Sequence, residues 1–192
     1  MNKLVCIVGL TGSGKSEVAD FFVNQSYAYV RFGQITLDEV KEKGLEPTEE
    51  NERPIRERNR AEHGPAAYAI LNMPKFEAGL AKGNVIGDGL YSWSEYKYLK
   101  EKLGENLIII AVYASPATRY IRLSNRRDKY KEDPNLKYRS ATAEQAKSRD
   151  YAEIENIEKA GPIAMADYTI INESSLEDLQ ARIKEIYQKI NE

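Results

Sequence analysis

Hydrophobic residues occur along the chain in short continuous runs, and the segments between the runs carry them at helical spacing. The first run, 4–8, ends at Gly9, and the longest, 107–113, is apolar almost throughout. Such runs are typical of strands that are buried on both faces of a parallel sheet. Shorter runs predict three more strands, at 27–32, 84–89 and 168–172. Strands that alternate with helices predict an α/β fold with a doubly wound parallel sheet.

Helix starts are marked by the capping-box pattern, in which a serine or threonine precedes a glutamate or glutamine by three positions. Thr36, Ser92 and Thr142 each begin such a pair, and Ser115-Pro116 has the residue types that helices favour where they begin. The segment 15–24 also predicts a helix. In the last predicted helix, one hydrophobic stripe is formed by Leu176, Leu179, Ile183, Ile186 and Ile190.

The length of 192 residues, without an internal repeat or a low-complexity linker, predicts one domain, 1–192. A content of 42% hydrophobic and 30% charged residues is typical of a globular chain and excludes a disordered or disulfide-rich class. The polar segments 33–80 and 127–141 interrupt the alternation of elements. We interpret them as insertions at one end of the sheet, the second being a lid-like flap.

Basic and acidic residues are nearly balanced, 28 against 30, so the chain has no overall basic field for nucleic acid or anionic membrane. The first apolar run is too short to span a bilayer and lacks the pattern of a signal peptide. We therefore expect a cytoplasmic protein that binds neither nucleic acid nor membrane. The single cysteine, Cys6, agrees with a reducing compartment and is interpreted as a core residue.

The turn after the first strand carries the clearest chemical motif, G-x-x-x-x-G-K-[ST], and it opens a predicted helix. Glycines allow successive backbone N–H groups to face a phosphate, and the helix N-terminus adds partial positive charge. Lys15 would reach the β- and γ-phosphates of ATP. The alternative is a turn that only joins strand to helix. The predicted ATP-binding residues are Gly9, Leu10, Thr11, Gly12, Ser13, Gly14, Lys15 and Ser16.

Magnesium bound between phosphates needs oxygen ligands, and two residues are candidates. Ser16 occupies the hydroxyl position of the motif that holds Mg²⁺. Asp88 is the acid at the end of a neighbouring predicted strand. Alternatively, Asp88 is merely the first residue of an Asp-Gly turn.

Arg119, Arg122 and Arg126 lie at positions i, i+3 and i+7 of the predicted helix after Pro116, and therefore on one face. Three guanidinium groups on one face favour an anionic partner, such as a triphosphate and its transition-state charge. We expect all three to be catalytic. The alternative is a solvated face that nearby acids neutralise.

A second group of arginines lies among glutamates between positions 49 and 62, where charge pairs at i,i+4 explain most of the pattern. Within it, Arg56 and Arg60 remain candidate contacts for an acceptor phosphate. His63, just before Gly64, is interpreted as a residue of a helix end and not as a catalytic group.

The order of these motifs resembles the nucleoside-monophosphate kinases of the P-loop superfamily: the phosphate-binding loop, Phe32-Gly33-Gln34, Gly87-Asp88-Gly89, and then the arginine-bearing helix. Within that superfamily, the chain is most similar to the uncharacterised adenylate-kinase-like group common in archaea, often labelled dephospho-CoA-kinase-like. The matching stretches are 43–48, 114–119, 148–150 and 166–173.

The resemblance implies a five-stranded sheet of order 2-3-1-4-5, with an acceptor lobe at 33–80 and a lid at 127–141. It also implies that Asn172 lies near the adenine and that Gln34 contacts the acceptor. Two arginines that the family usually carries are replaced by Leu37 and by Tyr91 with the serine after it. The family's usual grip on the acceptor phosphate is therefore missing or relocated.

Together, these patterns predict an ATP- and Mg²⁺-dependent phosphotransferase. Its acceptor would be a nucleotide-like small molecule, either a nucleoside monophosphate or a compound resembling dephospho-CoA. The alternative is an ATP-binding regulatory switch without a small-molecule acceptor, which the replaced arginines favour.

Overall fold

The fold was obtained as a computed structural model that describes residues 1–129 and 141–192, apart from the side chains of residues 126–129. Strands and helices alternate along most of the described chain. In chain order the elements are β1 (Leu4–Val8), α1 (Lys15–Asn24), β2 (Ala28–Arg31), α2 (Gln34–Glu42), α3 (Glu49–His63), α4 (Ala67–Leu80), β3 (Val85–Asp88), α5 (Trp93–Leu103), a 3₁₀ turn (Gly104–Asn106), β4 (Leu107–Tyr113), α6 (Pro116–Lys129), α7 (Ala143–Ile157), α8 (Ala160–Ala164), β5 (Tyr168–Ile171) and α9 (Leu176–Asn191).

The described strands form one parallel sheet in the order β2-β3-β1-β4-β5, which confirms the predicted topology. All five residues of the central strand β1 are buried. The register pairs Asp88 with Ile7 of β1 and with Arg31 of β2. The end of β3 therefore lies beside the point where the chain leaves β1 for the glycine-rich turn.

Each face of the sheet is covered by its own hydrophobic cluster. One cluster joins β1 and β4 to α4 and α5 and includes Phe76 and Leu99. The other joins the sheet to α1 and α9 and includes Phe22 and Ile183. Cys6 is completely buried in the first cluster, as predicted. Helices on both faces of a parallel sheet constitute the doubly wound α/β architecture.

Helix starts agree with the sequence patterns at Ser92 and Thr142, where both hydrogen bonds of the capping box are present. The prediction at Thr36 was wrong, because α2 already begins at Gln34. Thr36 is buried inside that helix, where its hydroxyl lies 2.6 Å from the Tyr68 hydroxyl. A tertiary hydrogen bond has taken the place of the expected cap.

The described helices include none that is both long enough and apolar enough to cross a membrane.

Candidate active site

The chain between β1 and α1 forms a tight loop that only glycine permits at key positions. Gly12 and Gly14 have φ angles of 87° and 104°, a left-handed region that other residues rarely adopt. A Cβ atom on Gly14 would lie 2.3 Å from Nδ2 of Asn172. The loop therefore has the backbone conformation and the close packing that the motif predicted.

The Lys15 side chain folds back over this loop. Its ammonium group donates hydrogen bonds to the carbonyl oxygens of Gly9, at 2.9 Å, and Leu10, at 3.1 Å. Burial, reinforced by the positive charge of Lys159, lowers the pKa of Lys15 to about 7. The group that should meet the phosphates is thus held at the loop but is only partly charged near neutral pH.

Two further side chains hold the loop from outside. The Arg119 guanidinium donates to the carbonyl oxygen of Thr11 at 3.1 Å, and the Asn172 amide donates to the carbonyl oxygen of Ser13 at 2.8 Å. Because these carbonyl groups are held on the outer side of the loop, its N–H groups can face inward, toward an anion.

Arg119 has surroundings that differ from those predicted for a catalytic arginine. It is 2% exposed, and both of its terminal nitrogens contact the Asp150 carboxylate, at 2.9 and 2.6 Å. Its Nε donates to the carbonyl oxygen of Ala114 at 3.0 Å. With its charge paired and most of its donors engaged, Arg119 supports the phosphate-binding loop, and its catalytic role stays a prediction.

The other predicted site residues in this part of the chain, Arg122, Arg126 and Asn172, differ in their surroundings. Arg122 approaches the Asn172 side-chain oxygen at 3.4 Å, and its Nη1 is buried without a hydrogen-bond partner in the described structure. Asn172 itself is buried against the phosphate-binding loop. Arg126 lies in α6, but its side chain is outside the described atoms, and so is most of the predicted lid at 127–141.

Asp88 and Ser16 fit the chemistry of a magnesium site. Both offer oxygen, one from the end of β3 and one from the first turn of α1. Mg²⁺ is commonly held by one or two protein oxygens together with phosphates and water, so a larger set is not needed. The described residues contain no cluster of three or more His, Cys, Asp or Glu side chains that could hold a metal alone.

A charged cluster from α7 and the turn after it was missed by sequence reasoning. Glu153 accepts hydrogen bonds from Arg149 at 2.9 Å and from Lys159 at 2.6 Å. Burial tends to raise the pKa of Glu153, but the charges of Lys159 and Arg149 outweigh it and lower the value to about 2. Asp150, which follows Arg149 in α7, is paired with the arginine that donates to the Thr11 carbonyl oxygen, so this part of α7 lies close to the phosphate-binding loop.

Tyr91 connects this cluster to the start of α2. The Lys159 ammonium lies 4.9 Å from the centre of the Tyr91 ring. On its other side, a Cβ on Gly33 would be 3.1 Å from the Tyr91 hydroxyl. Tyr91 thus lies between Lys159, in the turn after α7, and Gly33, at the start of α2.

Gln34, Arg56 and Arg60, the predicted acceptor contacts, are not gathered at one point. Gln34 lines a cavity of about 450 Å³ at the β2 edge of the sheet. Arg56 is hydrogen-bonded to Glu52 at 3.2 Å, as the i,i+4 alternative predicted, and also to Glu49, seven positions earlier. Arg60 lies over the Tyr68 ring, 5.5 Å from its centre.

Comparisons with known proteins agree with this architecture. The family model described as an AAA domain matches residues 5–160. The UPF0200 protein TK1334 of Thermococcus kodakarensis is 35% identical over 97% of each chain. TT1252 from Thermus thermophilus has a similar structure, with a TM-score of 0.66 and 18% identity over 98% of this chain and 97% of that one. Shikimate kinase from Bacteroides thetaiotaomicron has a TM-score of 0.58 and 12% identity over 99% of both chains.

Proposed function

We propose that the chain, which belongs to the AAA domain family and to the UPF0200 family, is an ATP- and Mg²⁺-dependent phosphotransferase. Its fold is similar to that of small-molecule kinases. The proposed acceptor is a nucleotide-like small molecule, a nucleoside monophosphate or a compound similar to dephospho-CoA. The observation that carries this proposal is the geometry of the glycine loop: Gly12 and Gly14 have positive φ angles, the Lys15 ammonium group is held on the loop, and Asp88 is paired with Ile7 beside it.

In the proposed reaction, catalysis is mainly positioning and charge neutralisation. The N–H groups of the loop bind the phosphates, and Lys15 moves from the Gly9 and Leu10 carbonyl oxygens to the β- and γ-phosphates. Ser16 and Asp88 hold Mg²⁺, which neutralises phosphate charge when it is bound. Arg149, whose side chain is 51% exposed, turns toward the transferred group. Arg122 and Arg126 remain proposed partners for the nucleotide.

The acceptor would lie between Tyr91 and α3, opposite α7. The negative charge of Glu49, in the first turn of α3, is among the interactions that raise the pKa of Arg149, and this supports placing the acceptor between α3 and α7. Gln34, Arg56 and Arg60 belong to this side of the proposed site. Arg56 would have to exchange its glutamate partners for the acceptor.

Two observations favour the alternative, a nucleotide-dependent switch. The Arg56 guanidinium is paired with two glutamates. In addition, an uncharged residue, Tyr91, stands at a position where nucleoside-monophosphate kinases usually carry an arginine. A protein that binds no acceptor tightly would bind ATP and hydrolyse it slowly, and ATP binding would change its conformation.

A coupled assay of ADP release distinguishes the two. The reaction contains ATP, Mg²⁺ and, in turn, each nucleoside monophosphate, each deoxynucleotide and dephospho-CoA. We expect one acceptor to raise the rate at least about tenfold over ATP alone, and Lys15→Ala to abolish that increase. Slow hydrolysis that no acceptor changes would contradict the kinase and favour the switch.

A further inference from the structure

The Asp88 carboxylate is held by a residue from the edge strand. The Tyr29 hydroxyl donates a hydrogen bond of 2.8 Å to Oδ2 of Asp88. Tyr29 is paired with Ile86 in the β2-β3 register, two positions before the pair formed by Arg31 and Asp88. Side chains two positions apart on a strand lie on the same face, and an aromatic side chain can reach the diagonal neighbour. The Tyr29 ring therefore extends along β3 to the carboxylate at its end.

This hydrogen bond fixes the orientation of the Asp88 carboxylate, which could otherwise rotate about its bond to Cβ. Asp88 is 7% exposed, so little water is available to hold its carboxylate. A donor on Oδ2 restricts rotation of the group and directs the other oxygen. Residues that hold a ligand in this way are known to change metal affinity or activity by about 10- to 100-fold.

We propose that Tyr29 is a positioning residue for the magnesium site, through its hydrogen bond to Asp88. The inference rests on the proposed function, in which Asp88 helps to hold Mg²⁺ beside the ATP phosphates. It adds a residue of β2 that belongs neither to the phosphate-binding loop nor to the predicted site.

Tyr29 can be substituted with little damage to the core. The residue is 41% exposed, and it lines the cavity at the β2 edge. Replacement by phenylalanine therefore removes the hydroxyl without leaving a closed hole in the core.

Binding of a fluorescent, non-hydrolysable ATP analogue, measured in excess Mg²⁺ and in EDTA, tests the inference. The dissociation constant in EDTA divided by that in Mg²⁺ reports how much the metal strengthens binding. We expect Tyr29→Phe to lower this ratio at least about fivefold and to leave the dissociation constant in EDTA unchanged. Asp88→Asn should lower the ratio at least as much, since Tyr29 acts through Asp88.

Tyr27→Phe is the matched control, because it also removes a tyrosine hydroxyl and its hydrogen bond, to Asn191 at 3.3 Å, but in the residue directly before β2 and not at the Asp88 end of the strands. It should leave the ratio unchanged. An unchanged ratio in Tyr29→Phe, including the case in which binding weakens equally with and without metal, would overturn the inference but not the proposal that the protein binds ATP. A wild-type protein that binds the analogue under neither condition would overturn the proposed function itself, and a wild-type ratio of one would remove the metal role of Asp88 together with that of Tyr29.

Discussion

Arg119 and Asp150 form a buried, two-point ion pair between α6 and α7, with N–O distances of 2.9 and 2.6 Å. The same guanidinium donates to the carbonyl oxygen of Thr11 in the phosphate-binding loop. The pair therefore joins three parts of the chain that are distant in sequence. Because Asp150 directly follows Arg149, it also sets where α7 presents its charged cluster to the loop.

Asp150→Asn should destabilise the protein by about 3 kcal/mol, because it leaves a buried guanidinium without its counter-charge. The exposed pair Arg53–Glu57 provides a control, and Arg53→Gln should leave the unfolding midpoint nearly unchanged. Urea unfolding, followed by circular dichroism, measures both. Equal unfolding midpoints for Asp150→Asn and the wild type would show that the ion pair carries no stability.

Nucleotide affinity should fall as the pH rises above 7. In the free protein Lys15 has a pKa of about 7, and bound phosphates favour its charged form, so binding takes up a proton above that pH. At pH 8 about 0.9 proton should be taken up per nucleotide at Lys15, a value that follows from that pKa. Calorimetry in buffers of different ionisation enthalpy measures this number. Lys15→Arg, which stays charged, should lose this contribution, and the same proton uptake in both proteins would disprove the assignment.

Arg149→Gln should lower the turnover number by about 10²-fold with little change in ATP affinity, if the arginine turns toward the transferred group. Lys147→Gln, on the same helix and exposed, is the control and should leave both unchanged. Steady-state kinetics and equilibrium binding give the two quantities. Equal losses of affinity and turnover would instead identify a ground-state contact.

Acid should reveal the stabilising role of Glu153. Its folded pKa of about 2 lies below the ordinary value of 4.5, so its contribution is fully present above pH 4.5 and disappears as the pH falls toward 2. Glu153→Gln should be the less stable protein at pH 7, by about 2 kcal/mol, because Lys159 loses its buried partner. The difference should shrink by pH 3 in urea unfolding. A difference that stays constant between pH 7 and 3 would contradict this role.

Much of the fold followed from local patterns. The run 107–113 and the segment 15–24 match β4 and α1 in both bounds, because a continuous apolar run and a glycine-rich turn before a helix are unambiguous signals. The helix start predicted at Thr36 was wrong, because its capping pattern arose by coincidence. The Thr36 hydroxyl is instead hydrogen-bonded to that of Tyr68, which lies 32 positions further along the chain. Contacts between residues that are distant in sequence cannot be predicted from a short stretch of the chain.

The candidate site could be predicted from the sequence where one contiguous motif forms it, but not where packing brings distant residues together. Gly9 to Ser16 are contiguous, so their spacing revealed the loop. Arg119 stood out by its helical spacing, but only the position of α7 shows that Asp150 neutralises it. The Arg149, Glu153 and Lys159 cluster had one signal, the short resemblance at 148–150, which gave no role. Tyr29 had none, because its role depends on the β2-β3 register.

Phosphorus-31 NMR of the protein with ATP, Mg²⁺ and the pooled acceptors tests the central claim most directly, since it identifies the product of phosphoryl transfer. We predict a new resonance from a phosphorylated acceptor that grows in step with ADP and is absent with Lys15→Ala. If inorganic phosphate alone appears, at one rate with and without the acceptors, the protein is not the kinase proposed for it.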